Sequence, residues 1–246
     1  MDIADDAFLR YDLGPDSQTA FPAWASGSAA AYVRQPPHGR ALSLNLHGPM
    51  VDAAALINAL PDIWQAAADA HPDLAGLSVE AHLVGAVRGR LGSAYSMELM
   101  GAWSWLFTND VIVTESRWQP EELDDRCDKE ELLEFYQLAN PAAESEPGEG
   151  TSRYWLGIRD HGRLAAVGAI HLTPAGAPHL TGIAVHPEYR RHGMGAAVTV
   201  ALTNRAVEQA GVATLGVMTD NVAALGLYNR LGYAVAHAWC SHLIRR

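Results

Sequence analysis

The feature that most constrains this chain is a basic, glycine-containing turn between an apolar strand and a helix. The segment reads Ile183-Ala184-Val185-His186-Pro187-Glu188-Tyr189-Arg190-Arg191-His192-Gly193-Met194-Gly195-Ala196. The first turn of a helix carries backbone N–H groups without intrahelical partners, together with the positive end of the helix dipole. The glycines allow close approach of a ligand to the backbone, and Arg190, Arg191 and His192 add positive charge. The spacing therefore predicts an anion site suited to a pyrophosphate.

The turn lies within a regular alternation of strands and helices. The predicted elements are the strands Tyr154–Arg159, Leu164–Leu172 and His179–Val185, the helix Met194–Gln209, the strand Val212–Met218, the helix Val222–Arg230 and the strand Tyr233–Ile244. Turn residues separate the first three strands, which predicts an antiparallel meander, and Gly211 provides a C-cap for the long helix. The order predicts an α/β (α+β) fold, with a mixed, mostly antiparallel sheet flanked by helices.

The N-terminal part repeats this alternation. Its predicted elements are a strand over 40–46, a helix over 51–70, a strand over 74–82, a helix over 84–91 and a strand over 96–108. Adding 140 to each number places Arg90-Leu91-Gly92 on Arg230-Leu231-Gly232 and Gly76 on Gly216. This match indicates an internal repeat. The alternative is a chance alignment of segments rich in Ala and Leu.

Composition narrows the possible functions. Hydrophobic residues make up 49% of the 246 residues and charged residues 18%, as in globular domains. The formal net charge of -11 argues against nucleic-acid binding, because phosphate contacts need a basic face. An acidic surface suits a cationic acceptor such as an amine, or it serves only to keep the protein soluble.

Other sequence features predict a soluble, cytoplasmic protein without a metal. The two cysteines are too few for a disulfide framework, and residues 1–6 lack the basic and apolar regions of a signal peptide. No apolar run approaches the roughly 20 residues that span a bilayer. The eleven histidines show no His-x-x-x-His spacing, and there is no Cys-x-x-Cys pair, so we expect no metal site.

A second segment strengthens the interpretation of the first. It reads Asp220-Asn221-Val222-Ala223-Ala224-Leu225-Gly226-Leu227-Tyr228-Asn229-Arg230-Leu231-Gly232-Tyr233. The two segments, in this order, resemble motifs A and B of the GCN5-related N-acetyltransferases (GNAT). The resemblance covers roughly residues 96–246, and residues 1–95 are included only through the repeat. It implies an enzyme that moves an acetyl group from acetyl-CoA to a primary amine.

The resemblance also implies a role for each motif residue. The strand Ile183–Val185, which includes Ala184, would offer backbone groups to the pantetheine arm of acetyl-CoA. Asn221 would hydrogen-bond the pantetheine, Ala224 would pack near it and Tyr228 would face the sulfur. The pyrophosphate would be held at the Arg190 signature, by the backbone N–H groups of Arg191, His192, Gly193, Met194, Gly195 and Ala196.

Acyl transfer requires further groups, and the sequence offers candidates for them. A backbone N–H near Ile183–Val185 would stabilise the oxyanion, and Tyr228 would protonate the leaving thiolate. The alternative for Tyr228 is a packing role. A glutamate found in family members similar to the ribosomal-protein acetyltransferases is replaced here by Gly216. The general base is then His179, His171 or a chain of waters, and a ribosomal substrate is not favoured.

The resemblance divides the chain into a degenerate GNAT-like half-domain over residues 1–95 and an acetyltransferase domain over residues 96–246. In the half-domain, Ala53 stands at the position of Gly193, so no pyrophosphate site remains. We expect it to cover the sheet, shape the acceptor cleft or form a homodimer contact. The stretch Asn140–Ser152, rich in Pro, Gly, Glu and Ser, is predicted to be a loop.

Two further segments are predicted to have structural roles. Trp103, Trp105 and Phe107 alternate as on one face of a buried strand. The segment 120–138 is predicted to be one helix, with the acidic run Glu121–Asp125 as its solvated start.

Two functions other than acetyl transfer stay open. They are a non-catalytic protein that binds or senses acyl-CoA, and an acyltransferase with a longer acyl donor.

Overall fold

The chain forms two compact units that interleave in the sequence. In this computed structural model, the described residues are 6–13, 23–35, 42–141, 143 and 145–245. The first unit comprises residues 1–105, 217–221 and 235–246, and the second comprises residues 106–216 and 222–234. This division differs from a boundary between residues 95 and 96, because the last strand of the chain packs with the N-terminal part. The half-domain interpretation of residues 1–95 stays a prediction.

Helices and strands alternate in the first unit. Its elements are a π-helical turn over Leu9–Leu13, β1 (Ala23–Ser26), β2 (Ala29–Arg34), β3 (Ser43–His47), α1 (Met50–Ala70), β4 (Gly76–Glu80), α2 (Val84–Leu91), β5 (Ser96–Thr108) and β11 (Ala234–Arg245). The strand order is β1-β2-β3-β4-β11-β5. The β3–β4 pair is parallel, whereas β1–β2, β2–β3 and β4–β11 are antiparallel. The predicted strand over 40–46 begins at Ser43, and residues 40 and 41 lie outside the described residues.

The core of the first unit lies between α1 and the strands β2, β3 and β4. Leu56, Leu60 and Ile63 recur at helical spacing on α1 and are buried against Leu44 and Leu77. Apolar residues at such spacing give a helix one continuous buried face, which explains why α1 was predictable from the sequence.

The second unit contains the segments singled out by the sequence. Its elements are β6 (Glu121–Leu123), α3 (Lys129–Ala139), β7 (Tyr154–Asp160), β8 (Arg163–Leu172), β9 (Pro178–Val185), α4 (Met194–Ala210), β10 (Ala213–Met218) and α5 (Val222–Arg230). The strand order is β10-β9-β8-β7-β6. Neighbouring strands are antiparallel except for β9 and β10, which are parallel. The predicted fold class and its mixed, mostly antiparallel sheet are confirmed.

Helices cover the strands of the second unit. Leu132, Phe135 and Tyr136 on α3 are buried with residues of β6, β7, β8 and β9. α4 contacts β7, β8 and β9, and it ends at Gly211, whose φ of 73° is the left-handed conformation that a C-cap requires. Among the described residues, no helix combines the length and apolar character needed to cross a bilayer.

The acidic run is not the start of a helix, and the prediction of one helix over 120–138 was wrong at this point. Glu121–Leu123 forms β6, which pairs with β7. The Asp124 carboxylate accepts hydrogen bonds from the backbone N–H groups of Arg126 and Cys127, and α3 begins only at Lys129. A short polar side chain that captures nearby backbone donors in this way favours a turn over a helix.

The three aromatic residues of β5 were expected on one buried face, and only one of them is fully buried. Trp105 on β5 is buried, with 1% of its surface exposed, whereas Trp103 and Phe107 are half-buried. The indole N–H of Trp103 donates to Ser241 Oγ on β11 at 3.0 Å. The alternation therefore marks a structural strand, in agreement with the predicted packing role.

Candidate functional site

The two parallel strands of the second unit separate soon after they begin to pair. Thr214 lies opposite His179, and Leu215 lies opposite Leu180. β9 continues to Val185, yet no further β10 partner enters this register. A parallel pair that opens in this way leaves backbone groups unpaired along the gap, where an extended ligand can be bound.

A bulge in β9 lies just beyond the last paired residue. Thr181 pairs with Ala169 of β8 and Ala184 pairs with Val167, so Gly182 and Ile183 together oppose a single β8 residue. Gly182 adopts a φ of 61°. Its carbonyl accepts a hydrogen bond from the Tyr136 hydroxyl of α3 at 2.6 Å. A bulge removes backbone groups from the ladder and turns them in a new direction, so this stretch is the natural place for a backbone donor to a reacting group.

The loop that follows β9 has the conformation of an anion-binding turn. Arg191 has a φ of 66° and Gly193 a φ of 83°, so two left-handed residues alternate with other conformations before α4. The first hydrogen bond across this turn runs from the Ala197 N–H to the Gly193 carbonyl, at 3.0 Å. The N–H groups of Met194, Gly195 and Ala196 therefore have no acceptor within the helix, and they lie at its positive end. Backbone N–H groups in such a turn form a concave site for phosphate oxygens.

The two signature glycines serve different purposes. A Cβ on Gly193 would meet no atom within 4 Å, so its requirement for glycine is conformational. A Cβ on Gly195 would lie 3.1 Å from Val185 Cγ2. Gly195 therefore lets the start of α4 pack closely on β9, a structural reason in addition to the ligand approach that the sequence suggested.

The basic residues of the loop also divide into different roles. The Arg190 guanidinium donates to the Val185 carbonyl at 3.2 Å and to the Ala139 carbonyl at 3.1 Å. Arg190 thus ties the loop to β9 and to the end of α3. Arg191 and His192 have exposed side chains, which leaves the Arg191 guanidinium and the His192 ring nitrogens accessible to an anion.

One residue of this region was missed by the sequence analysis. The indole N–H of Trp118 donates to the His192 carbonyl at 2.7 Å and so holds the middle of the loop between β9 and α4. Trp118 lies in an irregular segment between β5 and β6. Neither periodicity nor motif spacing marks such a residue, because its partner is distant in the sequence.

Tyr228 and Ala224 lie four residues apart on α5, so they share one face of the helix. Only 7% of the surface of Tyr228 is exposed, and burial raises the pKa of its hydroxyl to about 12. The phenol is therefore protonated at neutral pH, as a proton donor must be. Its ring lies 5.8 Å from that of Tyr233, whose hydroxyl hydrogen-bonds Thr203 Oγ1 at 2.7 Å.

Asn221 lies in the turn between β10 and α5. Its backbone N–H donates to the Met218 carbonyl at 3.0 Å, and the residue is exposed. The turn therefore holds the backbone of Asn221 and leaves much of the residue accessible. Its predicted contact with pantetheine stays a prediction.

His179 lies at the paired end of the β9–β10 opening. Its Nδ1 is 2.9 Å from Thr214 Oγ1, and the Thr214 hydroxyl donates to the Pro178 carbonyl at 3.0 Å. A hydroxyl has a single proton, so Nδ1 is the donor to Thr214, and in the neutral ring Nε2 carries the lone pair. The ring stacks on that of His171, with 4.9 Å between centroids. This tautomer is the one that a base acting through Nε2 requires.

Known proteins share the family pattern and the fold of this chain. Residues 109–233 match the Acetyltransferase (GNAT) family. A GNAT-family structure from Novosphingobium aromaticivorans has a TM-score of 0.57 at 16% identity, covering 98% of this chain and 99% of that one. A GCN5-related N-acetyltransferase from Kribbella flavida has a TM-score of 0.57 at 19% identity, covering 91% and 89%. At identities this low, the structural similarity establishes a common fold. A sequence search of curated proteins finds no significant match.

Proposed function

The chain belongs to the acetyltransferase (GNAT) family, and from this premise we propose that it transfers an acetyl group from acetyl-CoA to a primary amine. The observation that carries the proposal is the opening between β9 and β10, which leads into the Arg190–Ala196 loop. A strand with unpaired backbone groups and an adjoining anion site together match a thiol-ester ligand with a pyrophosphate at one end. Acyl transfer is the chemistry that this family supports.

Binding would use backbone groups more than side chains. The N–H groups of residues 191–196 would hold the pyrophosphate, with Arg191 and His192 adding charge at its edge. The backbone of Ile183–Val185 would pair with the amides of the pantetheine arm, as one strand pairs with another. Ala224 would contact the same arm. This arrangement fixes the thioester near the bulge at Gly182.

The reaction needs one bond to form and one to break. The amine nitrogen attacks the thioester carbonyl, a C–N bond forms, and the carbonyl oxygen becomes an oxyanion that the Ile183 N–H would stabilise. The C–S bond then breaks, and Tyr228 would give its proton to the thiolate of CoA. The attacking ammonium must first lose a proton, because a primary alkyl amine has a pKa of about 10.4. His179 Nε2 is our candidate acceptor, acting directly or through water.

A pair of glycine substitutions tests the binding site. Gly193 and Gly162 have φ values of 83° and 80°, and a Cβ on either would meet no atom within 4 Å. Alanine at either position therefore has the same conformational cost, about 1 to 2 kcal/mol. In Gly193→Ala, the backbone would relax toward negative φ and turn the loop N–H groups away from the pyrophosphate. We therefore expect the affinity for acetyl-CoA to fall at least about tenfold, which corresponds to about 1.4 kcal/mol of binding free energy. Gly162→Ala should bind as the unaltered protein does.

Calorimetric titration with acetyl-CoA measures this difference, and release of free thiol with a panel of primary amines measures turnover. Binding together with amine-dependent thiol release would establish the enzyme. Binding without release on any amine would favour a non-catalytic acyl-CoA protein. Equal affinities for Gly193→Ala and Gly162→Ala would show that the loop does not bind the pyrophosphate.

A further inference from the structure

Four ionisable side chains converge at one end of the strands of the first unit, in residues to which the proposed function gives no role. His47 is the last residue of β3, and Glu80 is the last residue of the adjacent parallel strand β4. His237 lies near the start of β11, which runs antiparallel to β4 and so meets the same end. Asp6 precedes the helical turn Leu9–Leu13 and is brought to this end by the fold.

The distances in this cluster fit a metal site. His237 Nε2 lies 3.0 Å from Asp6 Oδ2, and His47 Nδ1 lies 3.7 Å from the same oxygen. The ligand atoms of all three residues lie within 4.8 Å of one another. Ligands of a tetrahedral zinc ion at its usual bond lengths are about 3.3 to 3.5 Å apart. The cluster is therefore close to the size that such an ion requires, and a small adjustment suffices.

His47 provides a second and independent observation. Its side chain is 1% exposed, and Nδ1 is beyond hydrogen-bond range of Asp6. Its Nε2 is also buried, with no hydrogen-bond partner among the described residues. A buried ring nitrogen without a hydrogen bond is costly, because it does not recover what it loses when it leaves water. A metal ion between Nδ1 and Asp6 would give this buried ring a strong partner in place of a 3.7 Å contact.

Glu80 supplies the support that a metal-binding histidine usually has. Its Oε1 lies 3.2 Å from His237 Nδ1, and its Oε2 accepts a hydrogen bond from the Gly48 N–H at 2.9 Å. The carboxylate therefore fixes the orientation of the His237 ring and directs Nε2 toward Asp6. Carboxylates that hold a ligating imidazole in this way are typical of zinc sites.

We propose that Asp6, His47 and His237 bind one divalent transition-metal ion of the zinc type, with Glu80 orienting His237. Two imidazole nitrogens and one carboxylate oxygen are donors that zinc accepts readily, whereas magnesium prefers oxygen alone. The ion would fasten the segment around residues 6–13 to β3 and β11. Its role is structural and independent of acetyl transfer. The residues are widely separated in the sequence, which is why spacing predicted no metal.

A proton and a metal ion would compete for His237 Nε2, which lies 3.0 Å from Asp6 Oδ2. Burial lowers the pKa of His237, but its hydrogen bonds to Asp6 and Glu80 outweigh burial and raise the pKa to about 9. Metal binding would displace this proton.

The test uses the full-length, untagged protein, treated with a chelator and then titrated with Zn²⁺. We expect one Zn²⁺ per chain with a Kd of about 1 µM or tighter, against no comparable Mg²⁺ binding. Co²⁺ should give the visible absorption of a tetrahedral site. His47→Gln and Asp6→Asn should each weaken Zn²⁺ binding at least about hundredfold, and Glu80→Gln about 10- to 100-fold. Thermal unfolding of the unaltered protein should shift upward with Zn²⁺.

His82→Gln is the matched control, because His82 is exposed and hydrogen-bonds the Gly48 carbonyl beside the cluster without belonging to it. It should keep the Zn²⁺ affinity of the unaltered protein. Circular dichroism of each chelated variant establishes whether it is folded. If a substitution prevents folding, the Co²⁺ spectrum of the unaltered protein still shows whether the metal site is tetrahedral. The proposal would be overturned if no Zn²⁺ bound at 100 µM, which is about a hundred times the expected Kd. It would also be overturned if His82→Gln and His47→Gln lost Zn²⁺ affinity equally.

Discussion

A Tyr228→Phe variant is expected to lose about a hundredfold or more in kcat with amine acceptors while its affinity for acetyl-CoA stays unchanged. The substitution removes one oxygen and leaves the aromatic ring of a residue that is only 7% exposed. Packing is therefore kept, and only proton donation is lost. Stopped assays of thiol release at saturating acetyl-CoA give kcat, and calorimetry gives the affinity.

Tyr233→Phe is the control for this experiment. The two tyrosine rings lie 5.8 Å apart and both are buried, but the Tyr233 hydroxyl is bonded to Thr203 Oγ1. Its loss should cost about 0.5 to 1.5 kcal/mol of stability and leave kcat close to that of the unaltered protein. An unchanged kcat in Tyr228→Phe would support the packing role that the sequence left open. The thiolate would then take its proton from water.

Elements whose signals are local in the sequence were predicted well. α4 and α5 follow apolar spacing, and Gly193 and Gly211 mark the two ends of α4 as glycines in the left-handed conformation. The acidic run beginning at Glu121 was misjudged, because pairing with β7 and ion pairs to Arg159 and Arg205 stabilise a strand there. Helix propensity is a weak preference that tertiary contacts of this kind override.

The candidate site was also predicted only where its residues are neighbours in the sequence. Its loop over 190–196 is continuous in the sequence, so the motif predicted a turn between β9 and α4 at the right place. Trp118, which donates to the loop at His192, is not marked by any local pattern. The bulge at Gly182 is also hidden, because a single glycine in a strand reveals neither its φ nor its register. The cluster of Asp6, His47 and His237 depends entirely on which strands become neighbours.

A Gly182→Val variant is expected to lose about 3 to 6 kcal/mol of stability and most of its activity. Gly182 has a φ of 61°, which a β-branched residue adopts at considerable cost. Its new Cβ would also overlap Ser145 Oγ and lie 2.5 Å from the Tyr136 hydroxyl. The hydrogen bond from Tyr136 to the Gly182 carbonyl would be disrupted, and the neighbouring Ile183 N–H would be displaced from the proposed oxyanion position.

Gly176→Val separates these causes, because Gly176 has a φ of 78° and a Cβ there would meet no atom within 4 Å. It has the same conformational cost as Gly182→Val but none of the overlap with Ser145 and Tyr136. Urea unfolding gives the two free energies, and kcat/KM is measured on the folded fraction. A larger loss for Gly182→Val in both quantities would link the bulge to catalysis. Equal losses of stability with full activity would show that β9 can rearrange without its glycine, and the oxyanion donor would then have to lie elsewhere.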